Sequence, residues 1–189
     1  MRWDARRRDW RPVPYFILSP VEAARDDLSR IESVRRIHDP HHGLVEPHAT
    51  LVFGFERPLL DHIVGHVRDL AARFAPIACR FDSVRAVRDV AGSGGHLFLI
   101  PTRGAAEIVA LHEALYEGPL RSELRAEIPF IPHVTIGRLD DHVEAEALAE
   151  RLSSGLDMAA RLTRLDLVAF DGGPVAPVAS WPLAADPRI

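Results

Sequence analysis

Two periods of hydrophobicity alternate along this chain. "YFILSP" (Tyr15–Pro20) is a continuous apolar run of strand length, and "HATLVFGF" (His48–Phe55) is a second, rich in β-branched and aromatic residues. Between them Leu28, Ile31, Val34 and Ile37 recur at helical spacing, so a helix is predicted over Val21–His38. "DPHHGLVEP" reads as a loop. An amphipathic helix is predicted over Leu59–Phe74, with Pro58 at its start, and a strand over Ile77–Asp89. "AGSGG" is a turn, and "HLFLIP" (His96–Pro101) a further strand. The second half predicts a helix (Gly104–Tyr116), a proline-bearing loop, a strand (His133–Leu139), a helix (His142–Leu152) and a long strand (Met158–Phe170). "DGGP" then turns the chain into a final strand, "VAPVASWPL", whose prolines suit a sheet edge.

The chain repeats itself at long period. At an offset of 85 residues His48 falls on His133 and Thr50 on Thr135. "IACRFD" then falls on "LTRLDL", and "HLFLIP" lands near "VASWPL". Each half reads strand, helix, strand, turn, strand. This period is far longer than a solenoid unit. The expectation is one α+β domain over 1–189, built as two pseudo-symmetric lobes. Each lobe is an antiparallel sheet flanked by helices, with a central cleft between them. Residues 1–13 would form a charged N-terminal arm.

The duplicated segments are "PHATL" (47–51) and "PHVTI" (132–136). On a strand, residues i and i+2 share a face. His48 and Thr50 therefore project together, as do His133 and Thr135, while Ala49, Leu51, Val134 and Ile136 point into the lobes. The chain holds only four Thr, and two of them follow a Pro-His pair at the same spacing. Two such strands across a cleft would bring two imidazoles and two hydroxyls to one point. That set suits a phosphodiester. One imidazole can take a proton from water and the other can give one to the leaving oxygen. An imidazolium offsets charge building on phosphorus, and hydroxyls donate to its oxygens.

Composition narrows the alternatives. The net charge is -4, and all 23 cationic residues are Arg. Without Lys there is no Schiff base, no lysyl-nucleotide intermediate and no P-loop lysine. The acidic balance argues against a broad grip on long duplex nucleic acid. No apolar run reaches the ~18 residues of a membrane span, and no apolar segment follows the basic N-terminus as in a signal peptide. The single Cys79 points to a reduced, cytoplasmic setting.

At these residues the chain resembles the 2H phosphoesterase superfamily, which includes the 2'-5' RNA ligases and cyclic nucleotide phosphodiesterases. "HDPHHGLVEPHATLVFGF" looks like the branch with an Asp-Pro before its first motif, and "IPFIPHVTIGRL" like the second motif, with Arg138 closing the strand. The likeness runs from Tyr15 to Leu183. It implies metal-independent, cofactor-free hydrolysis of 2',3'-cyclic or 2'-5' phosphodiesters of RNA ends or nucleotides. His133 would be the general base and His48 the general acid. Thr50, Thr135 and Arg138 would hold phosphate, and Tyr15 could stack on a base if its ring faces the cleft, a core aromatic being the other reading. The partner is a nucleotide or an RNA terminus, with no membrane involved, and the expected state is a monomer. A nucleotide or RNA-end binding module without turnover is the alternative within the same fold.

Other clusters carry bland readings. His38, His41, His42 and His48, with Asp39 and Glu46, could hold a metal and support a metal-dependent hydrolase, but a solvated loop explains them as well. His62 and His66 lack the Glu of a zincin and are read as an exposed helix face. Cys79 is read as core.

Overall fold

The computed structural model describes residues 13–55, 60–89 and 92–184. Most of the predicted N-terminal arm, Pro58 and part of the Gly-rich turn lie outside the described residues. The elements in chain order are β1 (Tyr15–Ala23), α1 (Arg25–His38), β2 (His48–Phe55), α2 (Leu60–Ala71), β3 (Ile77–Arg88), β4 (Gly95–Arg103) and α3 (Ala105–Leu115). A 3-10 turn (Gly118–Glu123) leads to β5 (Val134–Leu139), α4 (His142–Ser153), β6 (Met158–Leu162), β7 (Arg164–Ala169) and β8 (Ala176–Pro182).

Three expectations need correction. The first helix begins at Arg25, because Val21, Glu22 and Ala23 pair with Leu162, Arg161 and Ala160 and stay extended. Ile37 is 72% exposed, whereas Arg35 on the same helix is 1% exposed. The apolar step marked the right face for Ile31 but not its limit. The strand predicted over Met158–Phe170 is two strands broken at Thr163, because its halves serve different neighbours: β6 pairs with β3, and β7 with β8.

The fold is α+β, with eight antiparallel strands in the order β2-β5-β4-β3-β6-β1-β7-β8. A further β1–β2 pairing joins the first six strands into a ring. Two four-stranded units emerge, β2-β1-β7-β8 and β5-β4-β3-β6, with each motif strand at the margin of its unit. Narrow seams connect them: Ala49 with Val134 on one side, and Val21–Ala23 with Ala160–Leu162 on the other. The units do not coincide with the sequence halves. The first half's hairpin β3–β4 flanks the second motif, and the second half's hairpin β7–β8 completes the first unit. As the prolines suggested, β8 is an edge, and it is largely exposed.

One core unites these layers, with Ile17, Leu51, Val52, Ile63, Val67, Leu97, Leu111, Val134, Leu162 and Leu167 all fully buried. Cys79 belongs to it, and burial pushes its thiol up to about 11, so it packs rather than reacts. Helix α1 packs against β5, and α3 against β2. The approach of α1 is close: a Cβ on Gly137 would stand 2.8 Å from the Cβ of His38 and 3.2 Å from Leu97. We expect Gly137→Ala to cost about 1–3 kcal/mol by overpacking, read as a lower denaturant midpoint at unchanged slope.

Candidate active site

The antiparallel pairing of Ala49 with Val134 sets the geometry. Stepping one residue each way puts His48 opposite Thr135 and Thr50 opposite His133. Ala49 and Val134 are buried on the other face, so all four polar side chains share the open one. The two motifs thus stand on adjacent strands at the seam between the units.

Each motif also carries the same bulge. Leu18 faces Thr50 while Ile17 faces Val52, so Leu51 is an extra residue in β2. Phe98 faces Thr135 while Leu97 faces Gly137, so Ile136 is an extra residue in β5. A bulge re-aims the side chains beyond it. Arg138, three residues past Thr135, would point away on a regular strand. The bulge returns it to the open face, opposite His96. In β2 it leaves the Leu51 carbonyl to accept from His112 Nδ1 at 2.8 Å, while Tyr116 Oη accepts from the Phe53 amide at 3.1 Å. His112, buried and stacked on Phe130 at 3.6 Å, steadies both the bulge and the segment entering the second motif.

The two motif histidines are held alike. His48 Nδ1 lies 2.8 Å from the Glu46 carbonyl, and His133 Nδ1 lies 2.6 Å from the Ile131 carbonyl. A carbonyl only accepts, so Nδ1 carries the hydrogen and Nε2 is left as the reactive nitrogen. The prolines at 47 and 132 support this by holding the preceding residue extended. Desolvation lowers the pKa of both rings. For His133 it brings the pKa to about 4, opposed by the Ile131 hydrogen bond and reinforced by the charges of His48 and His96. Phe98 supplies much of that cover, stacked on His133 at 3.6 Å and 17°. At His48 desolvation again leads, opposed by the Glu46 hydrogen bond, with Arg35 and His41 lowering the pKa and Asp39 raising it.

These shifts predict a pH dependence of stability. A histidine whose pKa falls on folding binds fewer protons folded than unfolded. Its contribution is complete above the unfolded value of about 6.5 and is lost as pH falls toward the folded value. The denaturant midpoint is therefore expected to drop between pH 6.5 and about 4. Replacing His133 by Gln should reduce that drop, as paired melts at pH 7 and 4.5 would show.

Around this pair lie the other residues of interest. Arg138 donates to Asp89 at 2.7 Å and lies 3.4 Å from Asp140. Asp89, 11% exposed, also meets His96 Nε2 at 2.9 Å, and His96 lies against Phe98. His96, Phe98 and Asp89 were missed in the sequence because each lies in the hairpin β3–β4, far from both motifs. A strand register was needed to find them. Tyr15 falls elsewhere. It shares the face of buried Ile17, stacks on Phe55 at 5.9 Å and packs against the core, so it is no platform in the cleft.

The histidines of the 38–48 stretch diverge. His42 Nε2 meets Glu32 at 3.0 Å, His41 lies on the edge of Phe170 at 5.4 Å, and His38 abuts Gly137. His66, read as an exposed face, instead donates to the Leu115 carbonyl at 3.2 Å and ties α2 to α3. Arg35 organises the loop. From its buried position it donates to Asp39 at 2.8 Å, Glu32 at 2.7 Å and the Val45 carbonyl at 2.7 Å. The loop so fixed ends at His48.

Comparison with known proteins identifies the family and the fold. Residues 20–174 match the model of the 2'-5' RNA ligase superfamily. The chain belongs to that superfamily of 2H phosphoesterases. Proteins of Bacillus licheniformis and Bacillus pumilus described as candidate phosphoesterases are 29% identical over 136 residues and 30% over 135. Each alignment covers 70% of this chain, and 75% and 74% of the respective relative. Solved structures with the same fold include Thermus thermophilus TT0787 (TM-score 0.59, 16% identity) and Escherichia coli LigT with 3'-AMP (TM-score 0.56, 18% identity). Both cover 92% of this chain and 99% of their own. No helix among the described residues is long and apolar enough to cross a membrane.

Proposed function

We propose that this 2H phosphoesterase opens 2',3'-cyclic or 2'-5' phosphodiesters of nucleotides or RNA ends by acid–base catalysis without a metal. The observation that carries the proposal is the matched pair of imidazoles, each fixed through Nδ1 to a carbonyl two residues back. His133 is the base. Its cover by Phe98 and the charge of His48 keep it neutral, and no carboxylate contributes to its shift. His48 is the acid, its Nδ1 tied to the Glu46 carbonyl so that Nε2 carries the transferable proton. Thr50, Thr135 and Arg138 hold the phosphate oxygens.

In the step itself His133 Nε2 takes a proton from water as its oxygen bonds to phosphorus. The bond from phosphorus to the leaving ribose oxygen breaks, and His48 gives that oxygen its Nε2 proton. The product is a phosphate monoester and a free hydroxyl. The two rings end with exchanged protonation and reset through solvent. LigT has been solved with 3'-AMP, ATP and NADP+, which supports a nucleotide as the bound species here too.

The direct test is hydrolysis of 2',3'-cyclic nucleotides by the wild-type protein in EDTA. Turnover that survives chelation is expected. Nucleotide binding with no turnover of cyclic or 2'-5' substrates would make the protein a binding module instead.

A further inference from the structure

His48 borders a cavity of about 390 Å³, within the ~300–1,000 Å³ usual for small-molecule sites. Its floor is the open face of β1 and β7, with Leu18, Pro20 and Val168, and Val175 closes one side. The polar lining is Glu32, Glu46, Asp166 and His42. Carboxylates only accept hydrogen bonds, and they repel a phosphate. Here they are balanced and held: Arg164 donates to Glu46 Oε1 at 2.6 Å and to Asp166 at 3.0 Å, and Arg35 donates to Glu32 at 2.7 Å. Among the described residues only Oε1 of Glu46 is engaged.

The site is therefore bipolar. On one side of His48 stand the Thr hydroxyls and Arg138. On the other lies an apolar-floored cavity whose carboxylates accept, with His42 turned to Glu32. We infer that this cavity takes the nucleobase on the leaving side of the phosphate and selects bases bearing an exocyclic amino group. Cytosine and adenine present an N–H₂ donor where uracil and hypoxanthine present an oxygen, which would face the carboxylate lone pairs. A site built to meet a donor rejects the analogue that lacks it far more strongly than an apolar pocket rejects a missing methylene. The inference rests on the functional reading above for the placing of the phosphate.

Calorimetry with 3'-CMP against 3'-UMP, and 3'-AMP against 3'-IMP, tests it apart from turnover. The amino-bearing member of each pair is expected to bind at least fivefold tighter. Glu46→Gln, whose backbone still anchors His48, should bring each ratio to within about twofold, because an amide can also donate. Val168→Trp, which fills the floor, should weaken all four nucleotides about tenfold or more. Equal affinities in the wild type, or a preference that survives Glu46→Gln, would overturn the assignment. Hydrolysis of glycerol 1,2-cyclic phosphate, which has no base, reports the chemistry alone. If it and the cyclic nucleotides are inert while the base preference holds, the catalytic reading falls and the pocket stands. If it turns over while the preference is absent, the reverse is true.

Discussion

Replacing His48 or His133 by Ala is expected to lower kcat/KM for a 2',3'-cyclic nucleotide by about 10²–10⁴ each. The double variant should lose little more than the worse single one, since the two groups act in one proton-transfer step. Both rings are anchored by backbone carbonyls rather than by other catalytic side chains, so neither loss should unfold the protein. The pair also predicts a bell-shaped profile of kcat/KM for the free enzyme. Its acid limb belongs to His133, at about 4. Its alkaline limb belongs to His48, whose pKa burial lowers from 6.5. Phe98→Ala should move the acid limb upward, because it removes the ring that shields His133 from water. A His133→Ala enzyme with activity within tenfold of wild type would sink the proposed base.

The second large effect concerns stability. Arg35→Ala removes the partner of Asp39, whose side chain is 4% exposed. Breaking a buried pair from one side leaves an uncompensated charge and costs about 3–5 kcal/mol. The Val45 carbonyl also loses its donor. Thermal and denaturant melts should show this loss. Arg35→Met combined with Asp39→Leu should recover much of it, because the orphan charge goes with its partner. Activity is a separate readout. The network fixes the loop entering His48, so the double variant should remain folded yet turn over more slowly. An Arg35→Ala protein as stable as wild type would show that Asp39 finds water or another cation instead.

The motif residues were legible in the sequence for a physical reason. A strand has a period of two, so His-x-Thr written twice states its own face, and the observed register of Ala49 with Val134 joins the two copies. The order of elements was legible too, because most breaks carry a Gly or Pro. What failed depended on partners distant in sequence. Helical spacing could not tell that Val21–Ala23 would be held by β6, nor that Thr163 would divide a strand between two neighbours. The apolar look of "YFILSP" gave no sign of which of its rings faced inward, and Tyr15 went to the core. Arg138 needed a bulge to reach the open face, and a bulge is a property of pairing rather than of composition.

The exchange of hairpins between the two sequence halves bears on the order in which this chain can be assembled. The unit holding His133 is drawn from one continuous stretch, β3 to β6, residues 77–162. The unit holding His48 begins at Tyr15 and is completed by β8, which ends at Pro182. Tyr15 pairs with Ala169, an association that must close almost the whole length of the polypeptide. During synthesis the His133 unit has all its strands first, while β1, beside the strand of His48, waits for β7 and β8 not yet made. The acid half of the proposed pair would then be the last to gain its setting, and a chain ending shortly before residue 164 would hold every strand of one unit while the β1 edge that takes β7 stayed open.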